Sequence, residues 1–130
     1  MSDCGGEEFR LRRAETIPLR TYTDCHGGCG PVHARLLLTE GDAAFSRLRL
    51  LHDDILPPGA EIGLHGHPDG CGEFYYILGG AGELDSGLGW EPVRAGDLGY
   101  APPGTRHAIR NHSPADLHVL VIGTLSRQGD

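Results

Sequence analysis

The sequence lacks any apolar run of the length that a membrane span requires, which is about 18 residues. Its first residues carry acids where a secretion signal would be basic and then apolar, so we expect a cytoplasmic protein. Basic residues are also few, because 11 Lys and Arg stand against 18 Asp and Glu, and the formal net charge is -7. Since this charge repels phosphate groups and anionic lipids, we expect neither a nucleic acid nor a membrane as partner.

Cysteine is scarce, with four residues: Cys4, Cys25, Cys29 and Cys71. An even number permits disulfides, but in a chain that starts like a cytoplasmic protein free thiols are the favoured interpretation. The 130 residues suffice for one domain and leave no room for two independent cores.

Glycine and proline are abundant by contrast, with 21 Gly and 9 Pro. Such frequent breaks leave little room for long helices, whereas the short apolar segments between them are typical of β-strands. Strands are predicted over residues 34–39, 45–51, 62–67, 73–79, 81–85, 91–94, 97–101, 107–111 and 117–123. Many short strands with regular turn signals predict an all-β fold, either a closed barrel or a sandwich.

The two ends of the chain show no such pattern. Residues 1–20 mix charged and apolar positions and are interpreted as an N-terminal arm, which is either frayed or added to a sheet edge of the same or a second subunit. Residues 126–130 are interpreted as a solvated C-terminal tail. The folded domain is therefore predicted to span residues 21–125.

Three potential metal ligands lie at strand spacing in the middle of the chain. His65 and His67 are two residues apart, so both would face the same side of a strand, and Glu73 opens the next strand beside them. A lone histidine is more often a packed or surface residue, but this combination favours a site for one divalent ion. Imidazole and carboxylate ligands suit Fe, Mn, Ni, Cu or Zn, so the identity of the ion stays open.

Two short motifs resemble those of the cupin superfamily. Five residues match each motif: Gly59, His65, His67, Glu73 and Gly80 match the first, and Gly96, Pro102, Gly104, His107 and Asn111 match the second. One departure occurs, because residues 68–72 make the gap between His67 and Glu73 longer than the usual three or four residues. Only residues 81–95 separate the motifs, which is similar to small single-domain cupins (monocupins).

The resemblance implies an antiparallel jelly-roll β-barrel in which His65, His67, Glu73 and His107 hold one divalent metal ion. Independently, His107 follows a Pro-Gly turn and starts a strand that would meet the other ligands across the barrel. Four protein ligands leave one or two positions on the ion for water, oxygen or substrate.

The function that the resemblance implies is a metal-dependent enzyme acting on a small organic molecule. Dioxygenases, isomerases, decarboxylases, lyases and cyclases share the fold; we rank an oxygenase-type reaction first and isomerisation or cyclisation next. Glu73 would accept a proton, and Tyr75, which faces inward with it by alternation, would orient the substrate or simply pack. The alternative is a non-catalytic module that binds a sugar-like ligand. A homodimer is expected because jelly-roll sheets leave edges to cover.

Several further residues leave alternatives open. In the segment 47–50 arginines and leucines alternate, so either Leu48 and Leu50 or Arg47 and Arg49 face inward. Inward leucines are the favoured interpretation. Inward arginines would indicate that the substrate carries a carboxylate. The glycine-rich stretch 24–30 is interpreted as a loop that closes a barrel end or contacts a subunit, and a second zinc site there with His33 is the weaker alternative. Cys71 could approach the ion. The other histidines are treated as structural or surface residues: His52, His112 and His118.

Overall fold

The computed structural model describes residues 9–38, 45–67 and 70–125. No helix among these residues is long and apolar enough to cross a membrane. Besides two short 3-10 helices, Ala14–Thr16 and Cys25–Gly27, the described residues form ten strands. The strands are β1 Leu19–Thr23, β2 Pro31–Leu36, β3 Leu48–Leu56, β4 Glu61–Gly66, β5 Cys71–Gly79, β6 Ala81–Asp85, β7 Trp90–Arg94, β8 Leu98–Ala101, β9 Arg106–Arg110 and β10 Leu117–Leu125.

The strands form two antiparallel sheets. The larger has the order β1-β2-β3-β10-β5-β8, and the smaller has the order β4-β9-β6-β7. Apolar side chains that alternate along the inner faces fill the space between the sheets, as expected of half-buried strands. This arrangement confirms the antiparallel jelly-roll fold, although among the described residues no ladder between named strands closes the two sheets into one continuous barrel.

The nine predicted strands correspond to β2–β10, with shifted ends. The largest correction is β3, which was predicted over residues 45–51 but continues to Leu56. The sequence patterns also missed β1, because all five of its residues are exposed and no apolar alternation marks it. Residues 39 and 126–130 lie outside the described residues, and the division into arm, domain and tail stays a prediction.

A β-bulge in β3 sets the direction of one arginine. In the pairing with β10, Gly123 lies opposite Leu50 and Thr124 lies opposite Leu48, so Arg49 is an extra residue without a partner. Leu50 packs against the core, and the guanidinium of Arg49 also turns inward to Glu73. The expectation that the leucines alone face inward was therefore wrong, because a bulge interrupts the alternation on which it rested.

The buried Asn111, which ends the second motif, is hydrogen-bonded to the residues at the start of the first motif. Its backbone N–H donates to Ala60 O at 2.9 Å, and its backbone oxygen accepts from Gly59 at 2.7 Å. Its side-chain amide donates to Leu56 O at 2.8 Å and Ala115 O at 2.7 Å. Since the residue is fully buried, these bonds satisfy groups that water cannot reach. They fix the end of β9 against β3 and β4, and thereby the strand that carries His107.

Candidate metal centre

Four predicted ligands meet between the two sheets. His65 on β4 and His107 on β9 are directly opposed in the strand register, His67 directly follows β4, and Glu73 lies on β5. One potential ligand atom from each side chain lies within 4.8 Å of every other, and three of the four residues are buried. The cluster is compatible with one metal ion, and it contains every ligand that the sequence predicted.

The Glu73 carboxylate is the centre of the polar contacts in this cluster. Its Oε1 accepts hydrogen bonds from Tyr75 Oη at 2.8 Å and from His107 Nε2 at 3.0 Å. Its Oε2 lies 2.9 Å from His67 Nε2 and accepts from Arg49 Nη2 at 3.1 Å. Burial alone would raise the pKa of Glu73, but the bonds from His107 and Tyr75 and the nearby His67 outweigh it and hold the pKa well below its usual range. The side chain therefore carries the negative charge that a metal ligand requires.

His65 is held in one tautomer. Its Nδ1 lies 2.7 Å from Gly63 O, and since a carbonyl oxygen only accepts, Nδ1 carries the hydrogen and Nε2 keeps its lone pair. Burial lowers the pKa of His65 to about 4, more than the bond to Gly63 raises it. The ring is therefore neutral near pH 7, with Nε2 available to a metal, and the carbonyl fixes its orientation as is usual behind metal-binding histidines.

His67 provides a test of whether a metal fits here. Its Nε2 is buried and makes no hydrogen bond of acceptable geometry with any described residue, even though Glu73 Oε2 is 2.9 Å away. A buried ring nitrogen without a partner is costly, and a metal ion bound at the cluster would satisfy it. Together, three imidazoles and one carboxylate form a donor set that suits a divalent transition metal.

His26 is a neighbour of the cluster that the sequence patterns missed. Its ring stacks on that of His65 with a centroid distance of 3.9 Å and an interplanar angle of 8°. The backbone of His26 is left-handed, with φ of 50°, which is uncommon for a residue other than glycine. This unusual conformation has no signature in the sequence, although the glycines around it indicate a special backbone.

A close backbone approach holds His26 in place. A Cβ on Gly63 of β4 would lie 2.2 Å from His26 O, and a Cβ on Gly28 would lie 2.0 Å from Glu61 O. Cys29 and Glu61 then exchange two backbone hydrogen bonds, of 3.1 and 2.7 Å. The glycine-rich stretch 24–30 thus packs against β4 beside the cluster, because two glycines leave room for it.

The cysteines of that stretch do not form a second metal centre. Among the residues that the structure describes, a single group of side chains is compatible with a metal, and Cys25, Cys29 and His33 are not in it. His33 Nδ1 instead lies 2.9 Å from Thr21 Oγ1. Cys25, Cys29 and Cys71 are free thiols, as predicted; Cys4 lies outside the described residues.

Comparisons with known proteins agree with this geometry. A family model described as a cupin domain matches residues 54–123, which is more than half of the chain. The chain belongs to the cupin family. This cupin is similar to an oxalate-binding protein from Thermotoga maritima, with 36% identity over 117 residues that cover 90% of this chain and 94% of the relative.

Solved structures share the fold. One from Thermotoga maritima, described as a predicted oxalate decarboxylase, is 34% identical with a TM-score of 0.82, and the match covers 89% of this chain and 99% of that one. The polyketide cyclase RemF from Streptomyces resistomycificus is 18% identical with a TM-score of 0.72, covering 93% of this chain and 82% of that one. The second likeness shows the fold alone.

In this cupin three residues of the candidate metal cluster, His65, His67 and Glu73, form part of the wall of a cavity of about 390 Å³. Arg49, His52 and Asp54 of β3 also line it. Of these, only Arg49 was considered from the sequence, as the less favoured inward residue that would indicate a substrate carboxylate. The signal of His52 and Asp54 was hidden because the predicted strand ended at residue 51. His112 is largely exposed near Glu83, and His118 contacts Asp53, so both are outside the cavity.

A second cavity of about 360 Å³ lies beside the first; Tyr75 lines both cavities, and His107 lines the second. Tyr75 is 4% exposed, and burial followed by the charge of Glu73 raises the pKa of its hydroxyl well above the usual range. Its hydroxyl therefore stays protonated and donates to Glu73. The structure thus brings the two predicted catalytic side chains, Tyr75 and Glu73, into direct contact.

Proposed function

We propose that this cupin binds one divalent transition metal and holds a small carboxylate beside it, with oxalate as the first candidate. The proposed metal ligands are the four cluster residues, His65, His67, Glu73 and His107. The observation that carries the proposal is the inward guanidinium of Arg49, which lies in the same cavity and within 3.1 Å of Glu73.

Arg49 has the chemistry of a carboxylate-binding residue. The planar guanidinium offers several N–H donors in a fork that matches the two oxygens of a carboxylate. Its Nε is buried without a hydrogen-bond partner among the described residues, so a donor is left over after the contact with Glu73. A bound divalent ion would add positive charge and polarise the ligand. The likeness to an oxalate-binding protein supports oxalate as the candidate.

Turnover of the bound ligand is the catalytic form of this proposal. An oxygenase-type reaction, such as that of a dioxygenase, comes first, and isomerisation or cyclisation comes next. Glu73 is the proposed proton acceptor, because a carboxylate is the ligand that an ion would release most easily. Tyr75 is the proposed group that orients the substrate, since its hydroxyl oxygen can accept a hydrogen bond while its hydrogen is donated to Glu73 at 2.8 Å. A binding module without turnover is the alternative.

We also propose that two chains associate as a cytoplasmic homodimer through the outer face of β5 and β8. Tyr76 and Leu98 are paired across these strands and are 40% and 55% exposed. Phe74 and Tyr100 are paired next to them, with ring centroids 6.0 Å apart, and Tyr100 is 67% exposed. Since a contiguous apolar patch on a sheet is typical of a protein interface, a second copy is its proposed partner.

The test begins with elemental analysis of protein purified without added metal, followed by calorimetric titration of the metal-loaded protein with oxalate. We expect one equivalent of metal, its loss in His67→Ala, and an oxalate affinity that falls at least about tenfold in Arg49→Leu. Arg20→Leu is the matched control, because Arg20 is exposed on β1 and does not line the cavity.

Three outcomes would contradict the proposal. A protein that takes up no divalent metal, or a His67→Ala variant that keeps stoichiometric metal, would reject the metal site. Equal oxalate affinities in Arg49→Leu and Arg20→Leu would reject the role of Arg49. Oxygen uptake by the Fe(II)-loaded protein with a bound carboxylate then separates an oxygenase from a binding module.

A further inference from the structure

The cavity has a second polar end that the metal cluster does not explain. The side chain of Asp54 is 8% exposed, and its Oδ1 has no hydrogen-bond partner among the described residues. His52 Nδ1 lies 3.9 Å from Oδ1, beyond hydrogen-bond distance. A buried carboxyl oxygen without a partner is costly to the fold, so its presence on a cavity wall indicates a group that meets a ligand.

The strand register shows how far this end lies from the metal cluster. Along β10, Gly123 is opposite Glu73, whereas Val119 is opposite Asp54 on the other side. The two levels are thus four residues apart, or about 13 Å along the sheet at the usual rise per residue. A single small ligand such as oxalate therefore cannot contact both ends of the cavity.

The stretch between the two ends is largely apolar. The wall there includes Ile62 and Val121, and His52 lies level with Val121, halfway along, whereas Ala34 is level with Asp54 itself. The volume of about 390 Å³ falls within the range of pockets that hold organic molecules much larger than oxalate. The cavity thus has a charged end at Arg49, an apolar middle and a second polar end at Asp54.

We propose that Asp54 and His52 form a second ligand-binding subsite, and that the cavity fits an elongated carboxylate with a hydroxyl group at its far end. This inference rests on the proposed function, because Arg49 and the metal must hold the carboxylate end. A hydroxyl suits the far end because it donates to Asp54 Oδ1 and accepts from an imidazole N–H. An apolar chain between the two groups matches the wall.

The electrostatics of Asp54 agree with a neutral partner. Burial, followed by the charges of Asp53 and Glu73, raises the pKa of Asp54 to about 7. A carboxyl that is partly protonated near neutral pH pairs with an uncharged hydroxyl more readily than with an ammonium group, which needs the full negative charge.

The test uses matched ligands that differ by one hydroxyl. Metal-loaded wild-type protein is titrated calorimetrically with 4-hydroxybutanoate against butanoate and with 6-hydroxyhexanoate against hexanoate. We expect at least one hydroxyl ligand to bind about tenfold more tightly than its partner. Asp54→Leu should remove this preference, Asp54→Asn should keep part of it through the amide oxygen, and Asp116→Leu, an exposed control, should keep all of it.

The outcomes separate this inference from the proposal on which it rests. Equal affinities within both ligand pairs, while oxalate and the carboxylates still bind, would overturn the second subsite alone. A hydroxyl preference that persists in Asp54→Leu would overturn the assignment to Asp54. If neither oxalate nor any of the carboxylates binds, the proposed function fails and this inference fails with it.

Discussion

Substitution of Gly63 by alanine should detach the segment that holds His26 over the metal cluster. The new Cβ would lie 2.2 Å from His26 O and 2.8 Å from Gly28 N, and both are backbone atoms. Relief of these contacts requires a movement of about 1 Å or more, since carbon atoms pack best at about 3.5 Å or more from their neighbours. The segment must therefore move away from β4.

The cost can be worked out from the bonds that this movement breaks. Cys29 and Glu61 exchange two backbone hydrogen bonds, and each contributes about 1 kcal/mol. The loss of about 2 kcal/mol agrees with the usual cost of overpacking, about 1 to 3 kcal/mol. For a domain of this size, a change of 2 kcal/mol corresponds to a fall in Tm of roughly 6 to 10 °C.

The assay is thermal unfolding of the metal-free protein followed by circular dichroism. Gly79→Ala is the matched control, because its Cβ would lie in ordinary contact, 3.8 Å from His118 Cβ. Since His65 loses its stacked neighbour, we also expect Gly63→Ala to bind metal about tenfold more weakly. A Gly63→Ala protein with the Tm and the metal affinity of Gly79→Ala would refute the reasoning.

Four further predictions test other contacts. Gly123→Ala should weaken oxalate binding about tenfold in calorimetry, because its Cβ would lie 2.7 Å from Leu50 Cγ and 2.9 Å from Arg49 Nη2 and would displace both side chains. Asn111→Leu should lower the free energy of unfolding in urea by about 2 to 4 kcal/mol, since it leaves buried carbonyl groups unpaired; an unchanged midpoint would contradict this. Tyr100→Glu should convert a dimer into a monomer in analytical ultracentrifugation, and a dimer that persists would place the interface elsewhere. The pKa of Asp54 is raised from 3.8 to about 7, so its contribution to the stability of the metal-free protein is full below pH 4 and falls as the pH rises through 7. The urea midpoint of the wild-type protein should therefore decline over that range relative to the midpoint of Asp54→Asn. Parallel pH profiles of the two proteins would argue against the raised pKa.

The sequence was sufficient to predict the ligand cluster because its residues stand at fixed spacings in two short motifs. The register irregularity of β4 precedes His65, so it leaves the spacing of His65 and His67 unchanged, and Glu73 lies near the start of the next strand. The motif around His107 also contains Asn111, whose buried bonds set the strand end. The spacing of these residues and the turns beside them were therefore enough to predict the ligand cluster. The short strands and frequent turns were enough to predict the fold.

The rest of the cavity could not be predicted because its residues depend on tertiary contacts. Arg49 faces inward through a bulge that only the pairing with β10 reveals. Asp54 lies in the second half of β3, where both faces of the strand carry charged and apolar residues. No alternation of apolar and polar residues therefore marks this part of the strand in the sequence. His26 reaches the cluster through a left-handed backbone and a close approach to Gly63, which no local propensity encodes.

The bulge at Arg49 separates the choice of ligand from the stability of the sheet. As the extra residue, Arg49 has no partner in the ladder, so its side chain can be exchanged while Leu48 and Leu50 keep their register with β10. Evolution, or a designer, could therefore alter the charge presented to the ligand at one position without rebuilding the metal cluster. A saturation library at residue 49 is thus the shortest route to cupins with this framework and new ligand preferences.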